Sequence, residues 1–213
     1  MTASIADLRK EYTLNGLDQT DVLPDPYAQF QQWFNAALAA GVHEPNAMHL
    51  ATISPEGRPE GRIVLIKGID APGFTFYTNY QSRKAASLAI NPVASLTFFW
   101  PELERQVRIE GTVKKVSEAE SDTYFNSRPR GSQLGAWVSH QSDVIAGRDV
   151  LEAEQKRLEV QFDGQPIPRP PHWGGFRLLP DQIEFWQGRP SRLHDRIRYR
   201  LDAGTWLIER VSP

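Results

Sequence analysis

A chain of 213 residues has the length of one sizeable domain or two small ones, and one domain is the expectation. Its 24 Lys+Arg against 26 Asp+Glu leave a formal charge of −2, which removes the broad cationic field of a protein that coats nucleic acid or anionic lipid. Zero Cys excludes disulfide scaffolds, thiolate metal sites and cysteine nucleophiles; no apolar run reaches spanning length and the opening residues lack a secretory apolar region, so a cytoplasmic protein is expected.

Residues 1–24 show no sustained period and read as a mobile arm, a possible lid, ahead of one domain over residues 25–213. Asp25-Pro26 is an N-cap followed by proline at the first helical position, and Tyr27, Phe30, Phe34, Ala37 and Leu38 recur at helical spacing until Gly41. From Ala47 the period changes to that of strands: AMHLATI, GRIVLIKGI and FTFYT, joined by Pro/Gly turns, form a meander. Ser82 opens a short helix that Asn91-Pro92 ends, and VASLTFFW and RQVRIEGTVKKV add two strands. Ser117 to Glu120 is a capping box that starts another helix. Residues 127–148 read as loop and short helix, RDVLEAEQKRLEVQF as a solvated helix, and FRLLP, QIEFWQG, RIRYRL and TWLIER as closing strands. About eight short strands with tight turns predict a small barrel, mainly β with surrounding helices.

Among recurrent catalytic motifs, GxGxxG, GxxxxGK[ST], GxSxG and HExxH are all missing, and the five His are scattered without a ligand spacing, so no metal is expected. Arg supplies 18 of the basic residues, a bias toward bidentate phosphate binding that codon usage equally produces. Arg62 and Lys67 are five apart, so an ideal strand would face them oppositely unless a bulge intervenes. Ser82-Arg83-Lys84 places two cations in a first helical turn, where the dipole disfavours them and a bound anion would explain them. Tyr124 with Arg128, Arg130 and Ser132 offers donors on a loop whose bland reading is an ordinary polar turn. Alternation puts Arg196, Arg198 and Arg200 on one strand face, for which solvated pairing with acids is the ordinary expectation. Arg192 and His194 lie between a turn and a strand beside Trp186, where a donor, a titratable group and a flat face meet. These clusters indicate binding of phosphorylated planar molecules without defining a reaction.

At these same clusters the sequence resembles the pyridoxine/pyridoxamine 5'-phosphate oxidase family. The matching segments are RIVLIKGID, GFTFYTNYQSRKA, LERQVRIEG, YFNSRPRGSQLGAWVSHQS, PPHWGGFRL and IEFWQGRPSRLHDR, in the family's order over roughly residues 45–200, with a weaker match at RKEY. The resemblance implies an FMN-binding split β-barrel, a homodimer with the site at the subunit interface. It implies oxidation of pyridoxine 5'-phosphate and pyridoxamine 5'-phosphate to pyridoxal 5'-phosphate, hydride passing from substrate C4' to flavin N5. Oxygen would be the acceptor, giving hydrogen peroxide, and the amine would yield ammonia. Carried over by position, FMN would contact Arg62, Ile63, Val64, Leu65, Ile66, Lys67, Tyr77, Thr78, Arg83, Lys84, Gln106, Gln141, Ser142, Trp186 and Arg196. Substrate would contact Arg9, Lys10, Glu11, Tyr12, Lys67, Tyr124, Arg128, Ser132, Arg192, Leu193 and His194, with Arg192 and His194 as the catalytic pair. Rival readings are another FMN-dependent split-barrel oxidoreductase with a different heterocycle, a non-catalytic pyridoxal-phosphate carrier, and a barrel that binds single-stranded nucleic acid, which the charge of −2 disfavours.

Overall fold

The computed structural model describes residues 4–8 and 10–213. Its elements run α1 (Pro26–Ala39), β1 (Ala47–Ile53), β2 (Pro59–Asp70), β3 (Gly73–Asn79), α2 (Arg83–Ile90), β4 (Val93–Trp100), β5 (Arg105–Lys115), α3 (Glu118–Ser127), α4 (Arg130–Val138), α5 (Arg148–Gln161), β6 (Trp173–Gln187), β7 (Asp195–Asp202) and β8 (Thr205–Arg210). The strands hydrogen-bond in the order β3-β2-β1-β4-β5-β6-β7-β8, and β3 also pairs with β6, so six strands close into the barrel that the sequence predicts. The chain forms two compact units, Met1–His49 with Ser95–Gly111 and Pro180–Pro213, and Leu50–Ala94 with Thr112–Leu179.

In the first unit α1 begins as the sequence predicts: the Asp25 carboxylate accepts the Tyr27 N–H at 3.1 Å, and Pro26 takes the first helical position. Its buried stripe is Phe30, Trp33 and Ala37, whereas Leu38, assigned to that face, is 55% exposed. The i, i+3, i+7 row wins because Phe30 meets Phe98 with ring centroids 5.0 Å apart and Trp33 meets Phe185 at 5.2 Å. Thr13 and Leu14 donate main-chain N–H groups to Glu104, Leu17 donates to Asp195, and Leu17 and Val22 are buried.

In the second unit β2 and β3 form the expected hairpin, with a register shift between Ile66 and Gly68 that leaves Lys67 as the extra residue of a bulge. Ser117 caps α3 through its side chain, accepting the Glu120 N–H at 3.1 Å. Phe125, Leu134, Leu158, Phe162 and Trp173 form a core that seats α3, α4 and α5. Two sequence expectations need correction. The SRPRGS segment is not a loop throughout: α4 starts at Arg130, and Arg130 turns away to cap the carbonyls of Phe162 and Gln165. FRLLP and QIEFWQG are one strand, β6. Pro180 does not interrupt it because the ladder to β3 ends at Leu178 and the ladder to β7 begins at Gln182, so its missing N–H falls where β6 changes partner.

Candidate active site

Arg62 and Lys67 both line one cavity of about 740 Å³ in the second unit; the consecutive residues from Arg62 to Leu65 border it with both faces of β2, and the bulge at Lys67 breaks the alternation that would otherwise oppose the two cations. Ile63, Val64, Leu65, Tyr77, Thr78, Arg83, Lys84, Tyr124, Arg128, Ser132, Gln141 and Ser142 line it too; Ile66 is buried and does not. The cofactor and substrate-phosphate sets of the sequence reading thus share a wall. Its size falls within the several-hundred-Å³ range of ligand sites.

Among the described residues, three cations of this cavity, Lys67, Lys84 and Arg128, have no carboxylate partner. Lys84 is 9% exposed, and its Nζ donates to Gln141 Oε1 at 2.7 Å and to the hydroxyls of Thr78 and Ser82, each at 3.2 Å. Burial, and then the charge of Arg62, bring its pKa down to about 8. Arg128 lies over the Trp173 ring at 4.6 Å, burial lowers its pKa, and its Nη1 is buried without a hydrogen-bond partner. The other two cations are tethered. Arg62 donates to Thr52 Oγ1 at 2.7 Å and pairs with Glu60 at 3.3 Å, and Arg83 also pairs with Glu60. At the start of α2 the main-chain N–H of Arg83 donates to Ser142 Oγ at 3.2 Å, so this helix end already attracts an oxygen.

Trp173, which the sequence reading passed over, forms the aromatic wall. Its ring stacks on Tyr77 at 5.5 Å and on Tyr124 at 6.2 Å, and the two tyrosines stack at 3.9 Å. The signal was present in PPHWGGFRL: two glycines follow the Trp, and a Cβ on Gly175 would come within 2.8 Å of the Tyr77 ring. Asn79, Gly135, Ala136 and Ser139 also line the cavity and were not anticipated.

A second cavity, about 680 Å³, lies in the first unit and is lined by Leu8, Lys10, Glu11, Tyr12, Arg189, Ser191, Arg192 and His194. Lys10, Glu11, Tyr12, Arg192 and His194 were expected to meet here. Leu193 is 69% exposed and does not line it, and Arg9 lies outside the described residues. The His194 ring is 4.6 Å from Trp186, and its Nδ1 accepts the Arg189 N–H at 3.1 Å. That acceptor role places the neutral ring's proton on Nε2. Burial, then the neighbouring Arg192 charge, hold its pKa below the usual imidazole value against the opposing pull of Asp195. Ser191 and Arg192 have φ of 57° and 62°, left-handed values that cost non-glycine residues of order 1–3 kcal/mol each and mark functional loops.

Four residues of the cofactor set, Ile66, Trp186, Gln106 and Arg196, line neither cavity. Trp186 borders His194, Gln106 is half-buried on β5, and Arg196 gives two hydrogen bonds to the buried Glu184, at 2.7 and 3.3 Å. Arg198 and Arg200 pair with Glu209, as alternation predicts.

Comparison with known proteins adds names to this geometry. The family profile "Pyridoxamine 5'-phosphate oxidase" matches residues 34–162, and "Pyridoxine 5'-phosphate oxidase C-terminal dimerisation region" matches residues 173–213. A relative in Nostoc punctiforme named pyridoxine/pyridoxamine 5'-phosphate oxidase is 58% identical over 214 residues, covering 100% of both chains. One of the same name in Cupriavidus metallidurans is 60% identical over 210 residues, covering 98% of this chain and 99% of the other. The crystal structure of PhzG from Burkholderia lata 383 in complex with tetrahydrophenazine-1-carboxylic acid has a TM-score of 0.89 at 32% identity, over 96% of this chain and 100% of that one. A pyridoxamine 5'-phosphate oxidase-related, FMN-binding protein from Nostoc punctiforme shares the fold, with a TM-score of 0.70 at 19% identity over 86% of this chain and 97% of that one.

Proposed function

Because the chain belongs to the pyridoxine/pyridoxamine 5'-phosphate oxidase family, and so is an oxidoreductase of the split-barrel fold, we propose that it oxidises pyridoxine 5'-phosphate and pyridoxamine 5'-phosphate to pyridoxal 5'-phosphate with FMN as cofactor. The observation that carries this reading is one cavity whose two expected donor sets each hold cations without carboxylate partners among the described residues, Lys84 in one and Lys67 and Arg128 in the other, with the stacked rings of Tyr77 and Tyr124 in the same lining. Two phosphates, one on the cofactor and one on the substrate, are what such a pair accommodates.

The donor set fits FMN: Lys84 is a buried cation bonded only to neutral oxygens, beside Arg62, Arg83 and the start of α2. When bound there, FMN would supply the chemistry of a two-electron acceptor, with O2 as the final oxidant reduced to H2O2. Arg62, Arg83, Lys84, Gln141 and Ser142 hold its phosphate. Lys67, Tyr124, Arg128 and Ser132 hold the substrate phosphate, and the orphaned Nη1 of Arg128 gains its missing acceptor there. Arg192 positions the pyridine ring by packing and charge. His194, neutral with its proton on Nε2, donates to a substrate oxygen, and its lowered pKa keeps it in that form at neutral pH. The substrate's C4' alcohol becomes the aldehyde; the amine becomes an imine, which water converts to aldehyde and ammonia. The Arg192–His194 segment lies within the matched dimerisation region, which supports a homodimer whose site is completed at the subunit interface.

Comparing pyridoxine 5'-phosphate with pyridoxine tests the reading. Loss of the phosphate contacts should lower kcat/KM by about 100-fold or more, since charge-assisted hydrogen bonds contribute about 1.5–3 kcal/mol each. Equal turnover of the two would remove Arg128 and its neighbours from the substrate site. Absence of turnover with either, in an FMN-loaded protein, would move the assignment to a different heterocycle.

A further inference from the structure

We propose that Glu104 is a positioning residue: its carboxylate fastens the N-terminal segment across the His194 cavity. The structural part stands on geometry alone; its kinetic consequence rests on the oxidase reading above.

Glu104 occupies the turn between β4 and β5, where it is 2% exposed and left-handed, with φ of 53°. A residue with a Cβ is disfavoured in that conformation and glycine is the usual occupant, so a buried glutamate there needs a reason that its own turn does not supply. The side chain gives one. Oε2 accepts the main-chain N–H groups of Thr13 at 2.9 Å and Leu14 at 3.1 Å, and Lys10 Nζ lies 3.8 Å from Oε1. The main chain of the same residue holds the end of β6: its carbonyl accepts the Gly188 N–H at 2.8 Å and Gln187 Nε2 at 3.2 Å.

One residue therefore joins the arm to the end of β6, from which the Arg192–His194 loop departs. Between these two attachments Tyr12 lies edge-on to Trp186 with ring centroids 5.7 Å apart, and 5.9 Å from His194. Gly188 leaves the room for it, since a Cβ there would come within 2.6 Å of the Tyr12 ring. Without the carboxylate, the Thr13 and Leu14 amides lose their acceptor and Tyr12 loses its tether, while no residue that lines the phosphate cavity is touched.

The test uses the FMN-loaded full chain with Glu104→Gly, which suits the left-handed backbone while deleting the carboxylate, and Glu104→Gln, which keeps the shape and removes the charge. Hydrogen exchange of the Thr13 and Leu14 amides should accelerate about tenfold or more in Glu104→Gly, and less in Glu104→Gln, as loss of bonds to a charged acceptor implies. KM for pyridoxine 5'-phosphate should rise about tenfold, with FMN affinity and Tm unchanged. Unchanged exchange at the two amides overturns the proposal whatever the substrate proves to be. Faster exchange with unmoved KM overturns the kinetic role, and a fall in FMN affinity and Tm in both variants shows Glu104 to be a general structural residue. A wild-type protein that does not oxidise pyridoxine 5'-phosphate would count against the oxidase reading instead, leaving the exchange result to judge the fastening.

Discussion

Lys84 shows how much a single residue's surroundings can say about its ligand. A lysine ordinarily holds its proton to a pKa of 10.5, but this one titrates at about 8 because burial penalises the charge and Arg62 repels it. Two effects of opposite sign follow. In the FMN-free protein the unfolded chain binds more protons than the folded one between those two values, so stability rises as pH increases through that window. FMN affinity should do the reverse, falling above a pH of about 8 as the cation is lost. Lys84→Met should weaken FMN binding by about 10-fold or more, flatten its pH dependence, and leave the apoprotein at least as stable. Fluorescence titrations with FMN across pH, beside thermal melts of the apoprotein, separate these outcomes; an unshifted FMN affinity would remove Lys84 from the cofactor site.

The sequence alone places Arg83 and Lys84 at a helix start, where a bound anion would explain them, because capping and dipole rules are local. It did not show that Lys84 is the buried member while Arg83 reaches Glu60, since burial depends on Gln141, far along the chain. Trp173 was missed for a related reason: its partners Tyr77 and Tyr124 come from separate elements.

At the scale of elements, what local chemistry dictates was legible: the Asp25-Pro26 start of α1, the Ser117 cap of α3, the β2–β3 hairpin. What depends on partners was not. Pro180 reads as a break until β6 is seen to exchange β3 for β7 around it, and Arg62 and Lys67 read as opposed until the bulge is placed. On the proposed function, the loop after β6 positions the substrate. Gly188→Ala would set a Cβ 2.6 Å from the Tyr12 ring and displace it, so we expect KM for pyridoxine 5'-phosphate to rise about 10-fold with FMN binding intact. Steady-state kinetics and FMN titration check this, and an unchanged KM would show that Tyr12 does not contribute to the substrate site.

Each compact unit of the chain carries one cavity, with the proposed phosphate donors in the one and the Arg192–His194 pair in the other. No helix among the described residues is long and apolar enough to cross a membrane. If the site is completed at the interface of a homodimer, Arg128→Ala and His194→Ala damage different subunits' contributions to it. Mixing and re-forming the two inactive variants should then restore up to about one quarter of wild-type activity, because half of random dimers are mixed and each carries one intact site. Failure of the mixture to exceed either parent, with subunit exchange verified, would place both residues in a site made by a single chain.

On the proposed function, this chain takes two electrons from a phosphorylated B6 vitamer onto FMN. The visible absorbance spectrum of the FMN-loaded protein, recorded before and after anaerobic addition of pyridoxine 5'-phosphate, shows whether it does. Bleaching of the flavin band, restored by air, is the predicted result; a bound flavin that stays oxidised would contradict the substrate assignment while leaving the fold and the FMN cavity in place.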